Sequence, residues 1–458
     1  MDLYPEHFAY IASLGCPKNL VDTEVLAASL FPENIGLTGD LEEADIFLVN
    51  TCAFIPPARE EAESVLEEAI EWKTEDPSNR RVVVCGCLVQ WDKDSLYIEK
   101  FPEVDLWLGI DQTEKVGRRI SGLFAKKEKK KKLFKNSPPE FLYDHRTPRL
   151  QLTLPHFAYI KIAEGCDNCC SYCSIPSIRG RLRSRTVKSI LKEAEALLEN
   201  GVREIALIAQ DSSAFGSEKP GSKKENLAGL LKSLDALGGD FWIRVLYAHP
   251  ASLDEKLVEV FAGAKHVLPY VDLPLQHISD KILKSMNRKV GSKEIRSLLG
   301  KLRKEIDGLA VRTTFITGYP GETEEDFKEL LSFVKEQEFE RMGAFSFYPE
   351  EGLKAASLSP RVPPKTAEAR CRKLMEVQSK ISLKKNKKLV GKNFDVIIDG
   401  MGGSGTARGR TYMDAPDIDN SVIVNIGKAR LASGDIVKAK IIEAAEFDLL
   451  AELVRGKK

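Results

Sequence analysis

No uninterrupted apolar stretch long enough to cross a bilayer occurs in these 458 residues. The first residues, Met1-Asp-Leu-Tyr-Pro-Glu, are polar and acidic where a secretion signal would be basic and then apolar. A cytoplasmic protein without membrane association is the expectation. Neither sign of charge is in excess, with 68 Lys and Arg against 68 Asp and Glu. That balance argues against a chain that coats nucleic acid through its overall field. Also missing are two Cys-x-x-Cys elements separated by a longer loop, the usual frame of a structural zinc site. What is present is nine cysteines, which in a reducing compartment read as metal or redox ligands before disulfides.

Four of them fall in the eight residues Cys166-Asp-Asn-Cys169-Cys170-Ser-Tyr-Cys173. Thiolates are soft ligands, and a set so crowded spreads poorly around one tetrahedral zinc. Three usable thiols on one loop suit an iron–sulfur cubane better, because its iron corners lie close together and one stays open. A disulfide or zinc knuckle is the competing reading of the loop alone.

A length of 458 residues suggests about three domains at roughly 150 residues each, and 43% hydrophobic residues are enough to build their cores. Residues 1–124 alternate strands (Phe8–Leu14, Ile46–Asn50, Arg81–Cys87) with helical patterns (Asn19–Leu30, and from after Pro56-Pro57 to Lys73). This order predicts an α/β domain with a doubly wound parallel sheet. Cys16, Cys52 and Cys87 each lie at the C-terminal end of a predicted strand, on the sheet edge where ligands bind in such folds. A second three-thiolate site is the reading, against three buried and inert cysteines. Cys85, two before Cys87, would share its face in a strand and stays an alternative ligand.

Residues 125–151 carry the run Lys126–Lys132 and Ser-Pro-Pro139, expected as a solvated linker rather than a nucleic-acid patch. Residues 152–386 again alternate strand and helix, which predicts a partial (β/α)6 barrel with its chemistry at the C-terminal strand ends. There stand Cys166, Gln210, Asp211, His249, Gln276, His277, Gly318 and Tyr348. Four arginines in Arg179-Gly-Arg-Leu-Arg-Ser-Arg185 read either as contacts to an anion or as internal salt bridges. Cys371 has no second thiol near it and is not expected to be a ligand. Residues 391–458 switch to short strands with glycine-rich turns, which predicts a small antiparallel β-barrel. Over 392–455 the balance is 8 basic against 10 acidic residues, with three acids in Asp414-Ala-Pro-Asp417-Ile-Asp419. Such a face repels phosphate and suits a basic protein partner.

The motifs now carry a resemblance over nearly the whole chain. Cys166-x-x-x-Cys170-x-x-Cys173, with Tyr172 before the last thiol, resembles the signature of the radical S-adenosylmethionine (SAM) enzymes. Leu14-Gly-Cys16-Pro-Lys-Asn, Asn50-Thr-Cys52-Ala-Phe-Ile and Gly86-Cys87-Leu-Val-Gln resemble the first domain of the methylthiotransferases, and the final barrel resembles their OB-like TRAM domain. Cys173-Ser-Ile-Pro-Ser-Ile-Arg-Gly, Ala209-Gln-Asp, Pro274-Leu-Gln-His-Ile-Ser-Asp and Asp414-Ala-Pro-Asp-Ile-Asp point to the RimO-type branch, which modifies an aspartate of small-subunit ribosomal protein S-twelve. The alternative is the MiaB-like branch, which acts on transfer RNA adenosine. A non-catalytic iron–sulfur protein that docks on the ribosome is the rival from another class. Cys169 departs from the family pattern, which selects Cys170.

The resemblance implies two 4Fe-4S clusters and SAM. One cluster would sit on Cys166, Cys170 and Cys173, the other on Cys16, Cys52 and Cys87. An aspartate β-carbon C–H is not acidic enough for a side-chain base, so a radical formed from SAM would take the hydrogen, cofactors doing the difficult step. Tyr172 would pack near the adenine. Gln210 and Asp211 would fix SAM or substrate, and Gln276, His277 and Gly318 complete the expected cofactor-binding set. A reductase such as flavodoxin or ferredoxin would supply electrons; the sulfur donor is not identified by the sequence.

Overall fold

In the computed structural model, residues 5–124, 133–135, 137–219 and 225–454 are described, and the chain forms two compact units. The first unit is 1–152 with 161–169 and 173–185; the second is 153–160, 170–172 and 186–458. The run Lys126–Lys132 lies outside the described residues. Among the described residues no helix is long and apolar enough to cross a membrane.

The first unit is built on strands β1 (His7–Ser13), β2 (Ile35–Leu37), β3 (Ile46–Thr51), β4 (Arg81–Gly86), β5 (Leu106–Leu108) and β6 (Leu133–Phe134). They pair in parallel in the order β2-β1-β3-β4-β5-β6. Strand alternation divides the core into two faces. Ile46 and Leu48 pack with Leu26, Leu30, Val116 and Ile120. Phe47 and Val49 turn the other way, onto Ala62, Leu66, Ala69 and Trp72 of the helix Pro56–Glu75. A parallel sheet needs this cover on both sides. Helices Pro17–Ala28 and Pro56–Glu75 both open on proline, which fits the first turn because its N–H groups have no intrahelical partner.

The second unit holds a second parallel sheet. Its strands are β7 (Phe157–Lys161, whose last residue is counted with the first unit), β10 (Glu204–Ile208), β11 (Trp242–Val245), β12 (Val267–Asp272), β13 (Ala310–Thr317) and β14 (Arg341–Ser346). The short pair β8 (Ala163–Glu164) and β9 (Arg183–Ser184) of the first unit comes between β7 and β10 in the chain. Strand order follows chain order from β7 to β14, and the sheet is open, the expected partial barrel. Strands β15 (Asn393–Met401), β16 (Thr406–Arg410), β17 (Val422–Asn425), β18 (Ile436–Ala444) and β19 (Leu449–Leu453) close a five-stranded barrel in the order β15-β16-β17-β19-β18. It is not wholly antiparallel, because β17 and β19 run parallel.

One expectation needs correction. The acids of the Asp414–Asp419 loop do not form a free acidic face. Asp414 is buried, and Asp419, half-buried as a residue, has its side chain only 5% exposed. Arg341 donates to Asp414 Oδ1 from Nε at 2.8 Å, Arg312 Nε lies 3.3 Å from Asp419 Oδ1, and Tyr270 donates its hydroxyl to Asp419 Oδ2 at 2.7 Å. Beside them Arg410 and Arg244 converge on Glu204 at 2.6 and 2.7 Å. The loop's acids pair with cations rising from β13 and β14, as buried charges require. Of its three acids only Asp417 is exposed.

Candidate functional site

Three thiols mark one edge of the first sheet. Cys16 follows β1 and precedes the helix Pro17–Ala28, Cys52 follows β3, and Cys87 opens the helix Cys87–Trp91 after β4. Two glycines let these loops approach. Gly15 has φ +91°, and a Cβ there would stand 2.7 Å from Cys52 Cβ and 3.0 Å from its Sγ. Gly86 has φ +96°, and its Cβ would meet Asn50 Oδ1 at 2.3 Å. Only glycine combines that backbone with that space.

A buried polar network holds the loops in place. Asn19 donates through Nδ2 to the carbonyl of Leu14 at 2.6 Å and, at 3.4 and 3.3 Å, to those of Asn50 and Thr51. Asn50 returns a bond to the Asn19 carbonyl at 3.0 Å and another to Thr23 Oγ1 at 2.8 Å. Thr51 donates to the Cys85 carbonyl at 2.5 Å and accepts from the N–H of Leu88 at 3.2 Å. All three thiol loops are thus tied through fully buried groups, which rigidify a site when every member is satisfied.

Cys85 separates from Cys87 here. Gly86 ends the strand, so the period of two does not carry to residue 87. Cys85 packs in the apolar core with Val83, Leu106 and Leu26, and burial pushes its thiol far above its ordinary value. Burial also pushes Cys87 up to about 12, against the pull of Arg179, and raises Cys52. Cys16 lies below its ordinary value: burial raises it, but Lys18, Arg179 and backbone N–H groups outweigh that. The thiols also feel one another electrostatically. Soft sulfurs on three rigid loops, with a buried cation beside them, fit an iron–sulfur group. Among the described residues no group of three His, Cys, Asp or Glu side chains is close enough for a single metal ion; a cluster, whose irons stand apart, spans a wider set of sulfurs.

That cation is Arg179, which the sequence did not distinguish from its neighbours. Of the four arginines in its run, Arg179 and Arg185 are buried, and Arg181 is exposed and pairs with Asp167. All nine cysteines are free thiols. Cys371 points its Sγ to the Ala344 carbonyl at 3.3 Å, away from any other thiol in its hydrogen bonding.

In the second unit the segment Cys170–Tyr172 is stitched down. Ser171 donates its N–H to the Met286 carbonyl at 3.1 Å and its hydroxyl to the Ser285 carbonyl at 2.8 Å, and shares a hydrogen bond with the Tyr319 hydroxyl at 2.8 Å. Tyr172 packs edge-on against Tyr319, in an apolar cluster with Ile282 and Met286. Arg288 Nη1 lies 3.9 Å from Cys170 Sγ while its Nη2 is anchored on the Pro274 carbonyl at 2.7 Å. Ser171, Tyr319 and Arg288 were not singled out from sequence. In the first unit, Cys166 is held by its N–H to the Gly180 carbonyl at 3.2 Å. Cys169 is exposed and has φ +50°.

The remaining expected cofactor residues lie at their strand ends, but several spend their polar atoms internally. Asp211 is buried, accepts Ser213 Oγ at 2.5 Å and caps the turn Ser212–Ala214. His277 is fully buried; its Nδ1 accepts the N–H of Ser279 at 3.0 Å. Burial pushes it down to about 4. Gly318 has φ +76° and faces Ala367, whose Cβ would lie 2.2 Å from an added Cβ, while its N–H donates to Glu322 at 2.6 Å. Gln276 extends the edge of β12, its N–H on the Thr314 carbonyl and its carbonyl accepting from Ile316, both at 2.8 Å. Gln210 follows β10 and is half-buried. Asp211 and His277 therefore shape the strand-end turns from within.

Residues 160–334 match the radical SAM superfamily, residues 9–109 the uncharacterized protein family UPF0004, and residues 390–454 the TRAM domain. The chain is 44% identical over 447 residues to the ribosomal protein uS12 methylthiotransferase RimO of Geotalea uraniireducens, covering 97% of this chain and 98% of that one. It is 44% identical to the RimO of Syntrophus aciditrophicus, over 98% and 99% of the two chains. This chain belongs to the RimO family of radical SAM methylthiotransferases. The RimO of Dictyoglomus thermophilum is 40% identical over 97% of this chain and 99% of its own. Among solved structures, the radical SAM methyltransferase TsrM of Kitasatospora setae aligns with a TM-score of 0.53 at 16% identity, over 76% of this chain and 77% of that one. The cobalamin-dependent SAM radical enzyme OxsB aligns at 0.53 and 14% identity, over 82% and 56%. These two show the fold that a RimO-family chain shares with distant radical SAM enzymes. As a radical SAM transferase of the RimO family, the chain is an enzyme of SAM and iron–sulfur chemistry.

Proposed function

We propose that this enzyme converts the β-carbon C–H of an aspartate in ribosomal protein uS12 to C–S–CH3, in the cytoplasm, with electrons from a flavodoxin- or ferredoxin-like reductase. The observation that carries the reading is the gathering of Cys16, Cys52 and Cys87 on three rigid loops at one sheet edge. It occurs in a chain that aligns end to end with uS12 methylthiotransferases. Cys166, Cys170 and Cys173 would hold one 4Fe-4S cluster, and Cys16, Cys52 and Cys87 a second. When bound, the cofactors supply a carbon radical able to take hydrogen from an unactivated carbon, and the sulfur to replace it. Residues 1–124 form the sulfur-bearing domain, 152–386 the radical SAM domain and 391–458 the TRAM domain, with 125–151 joining the first two.

The chain's own groups supply position. Asn19, Asn50 and Thr51 fix the thiol loops. Ser171 and Tyr319 fix the backbone beside Cys170. Arg288, a cation 3.9 Å from Cys170 Sγ, is placed to attract the carboxylate of SAM. Tyr172 offers a ring face for the adenine, and Gln210 and Gln276 offer amides at the same strand ends.

Mass spectrometry of uS12 and of transfer RNA from a strain lacking this gene tests the reading. The aspartate should lose one methylthio group and regain it on complementation with the wild-type gene but not with Cys16→Ala. A methylthio group lost from transfer RNA adenosine, with uS12 unchanged, would assign the substrate to nucleic acid instead.

A further inference from the structure

Arg179 lies within the first unit, at the end of the short helix Ile175–Arg179, and is 2% exposed. Its guanidinium divides its bonds between carboxylates on one nitrogen and a thiol and an amide on the other. Nη1 donates to Asp22 Oδ2 at 2.6 Å and lies 3.3 Å from Glu164 Oε2. Nη2 donates to Cys87 Sγ at 2.9 Å and to Asn19 Oδ1 at 3.2 Å. Lys161 completes the group, bonded to Asp22 and, at 2.6 Å, to Glu164. Two cations here face two carboxylates, so the carboxylates are neutralised without any contact to sulfur. A purely structural arginine would spend its whole fork on them. This one aims half of it at a thiol that the sheet topology places beside two others, and Asn19, which ties the Cys16 loop to the Cys52 loop, accepts from the same nitrogen.

We propose that Arg179 is a positioning residue for the cluster held by Cys16, Cys52 and Cys87, giving it a fixed N–H···S hydrogen bond on Cys87 and a buried positive charge that favours the reduced state. The proposal rests on the reading that these three thiols are ligands. Reduction potentials of iron–sulfur clusters follow net charge and hydrogen bonds to sulfur, and partners of ligands beyond the metal's own contacts tune affinity as well as potential. A planar fork locked by Asp22 and Glu164 cannot swing away when the cluster's charge changes. A lysine in its place would keep the charge but lose the fork geometry.

The test uses the full-length chain with Cys166→Ala, Cys170→Ala and Cys173→Ala, so that any cluster is the amino-terminal one. Iron and sulfide analysis comes first; a parent without a cluster refutes the ligand reading rather than the role of Arg179. In a loaded parent, a spectroscopic redox titration should place Arg179→Met at a lower midpoint potential than the parent, with Arg179→Lys between them. Asp22→Asn, which removes a negative charge and leaves the arginine–sulfur contact, should move the midpoint upward. Opposite signs for the Arg179 and Asp22 variants support a tuning role, because loss of packing alone would not separate them. An unchanged midpoint in Arg179→Met, or shifts of the same sign in both, overturns the proposal. Should Arg179→Met fail to fold, Arg179→Lys against Asp22→Asn decides by the same criterion.

Discussion

Glu204 accepts a 2.6 Å hydrogen bond from Arg410, 206 residues further along the chain, and both side chains are buried. Glu204 also accepts from Arg244 Nε at 2.7 Å, and Arg410 is shared with Asp399. The first residue of β10 is thereby clamped to β16 of the carboxyl-terminal barrel. Removing one member of a buried ionic group leaves the others uncompensated, at a cost of about 3–5 kcal/mol. Glu204→Gln should therefore destabilise the chain by about that much, seen as a lower urea midpoint or an early separate transition of the barrel. A variant as stable as wild type would mean the clamp carries no stability. Acid acts on the same clamp. Burial alone would raise the Glu204 carboxyl, but Arg410 and Arg244 outweigh it and the folded value is lowered. Its contribution is complete above the unfolded carboxylate range and is lost as pH falls through the folded value.

His277 gives a second, separable pH dependence. Burial, with Arg370 adding to it, brings its folded value down to about 4, against about 6.5 in an unfolded chain. Between those values the unfolded chain binds a proton that the native chain refuses, so stability rises with pH across that window. The full effect is present above about pH 6.5 and amounts to about 3 kcal/mol. His249, pushed to about 3 by burial, acts in the same direction. Urea unfolding of wild type between about pH 4 and 7 should show this loss on acidification, and His277→Gln should flatten part of it. Identical slopes for the two proteins would show that His277 is not the group responsible.

How far these features were legible in the sequence follows from their physics. Alternating strands and helices oblige a parallel sheet with its loops on one edge, so the convergence of Cys16, Cys52 and Cys87 could be read from order alone. Cys85 could not be separated from Cys87, because the decision lies in the φ of Gly86. Asp211 and His277 were correctly placed at strand ends, but position along a strand does not say whether a polar atom turns outward or caps a neighbouring turn. Arg179 stood in a run with Arg181, and only the fold buries one and exposes the other. The Asp414–Asp419 loop failed for a different reason. Its partners are distant in sequence, Arg341 by 73 residues and Tyr270 by 149, and a count of charges cannot foresee intramolecular pairing.

Cys169 and Cys170 are adjacent, and the fold treats them differently. Cys169 is exposed and adopts φ +50°, whereas Cys170 lies 3.9 Å from Arg288 beside the Ser171 anchor. Cys170→Ala should abolish formation of 5′-deoxyadenosine from SAM by reduced enzyme. Cys169→Ala should keep it within about twofold, as expected of a surface substitution away from a structural feature. The reverse pattern would transfer the ligand role to Cys169.

Gly15→Ala tests whether the three amino-terminal thiols act as one site. The added methyl would stand 2.7 Å from Cys52 Cβ, at a φ of +91° that costs an L-residue about 1–2 kcal/mol. Neither term is large enough to unfold a domain with two packed faces, so the variant should fold. The Leu14–Cys16 loop must then draw back from Cys52, which breaks the spacing of the thiols without removing any of them. Iron and sulfide should fall to about half of wild type, as expected when one of two clusters is lost with its site. Formation of 5′-deoxyadenosine should persist, because Cys166, Cys170 and Cys173 are untouched, while methylthio transfer to uS12 should stop. Full iron content with normal transfer would mean that the loops tolerate separation and that the close approach at Gly15 has no part in holding a cluster.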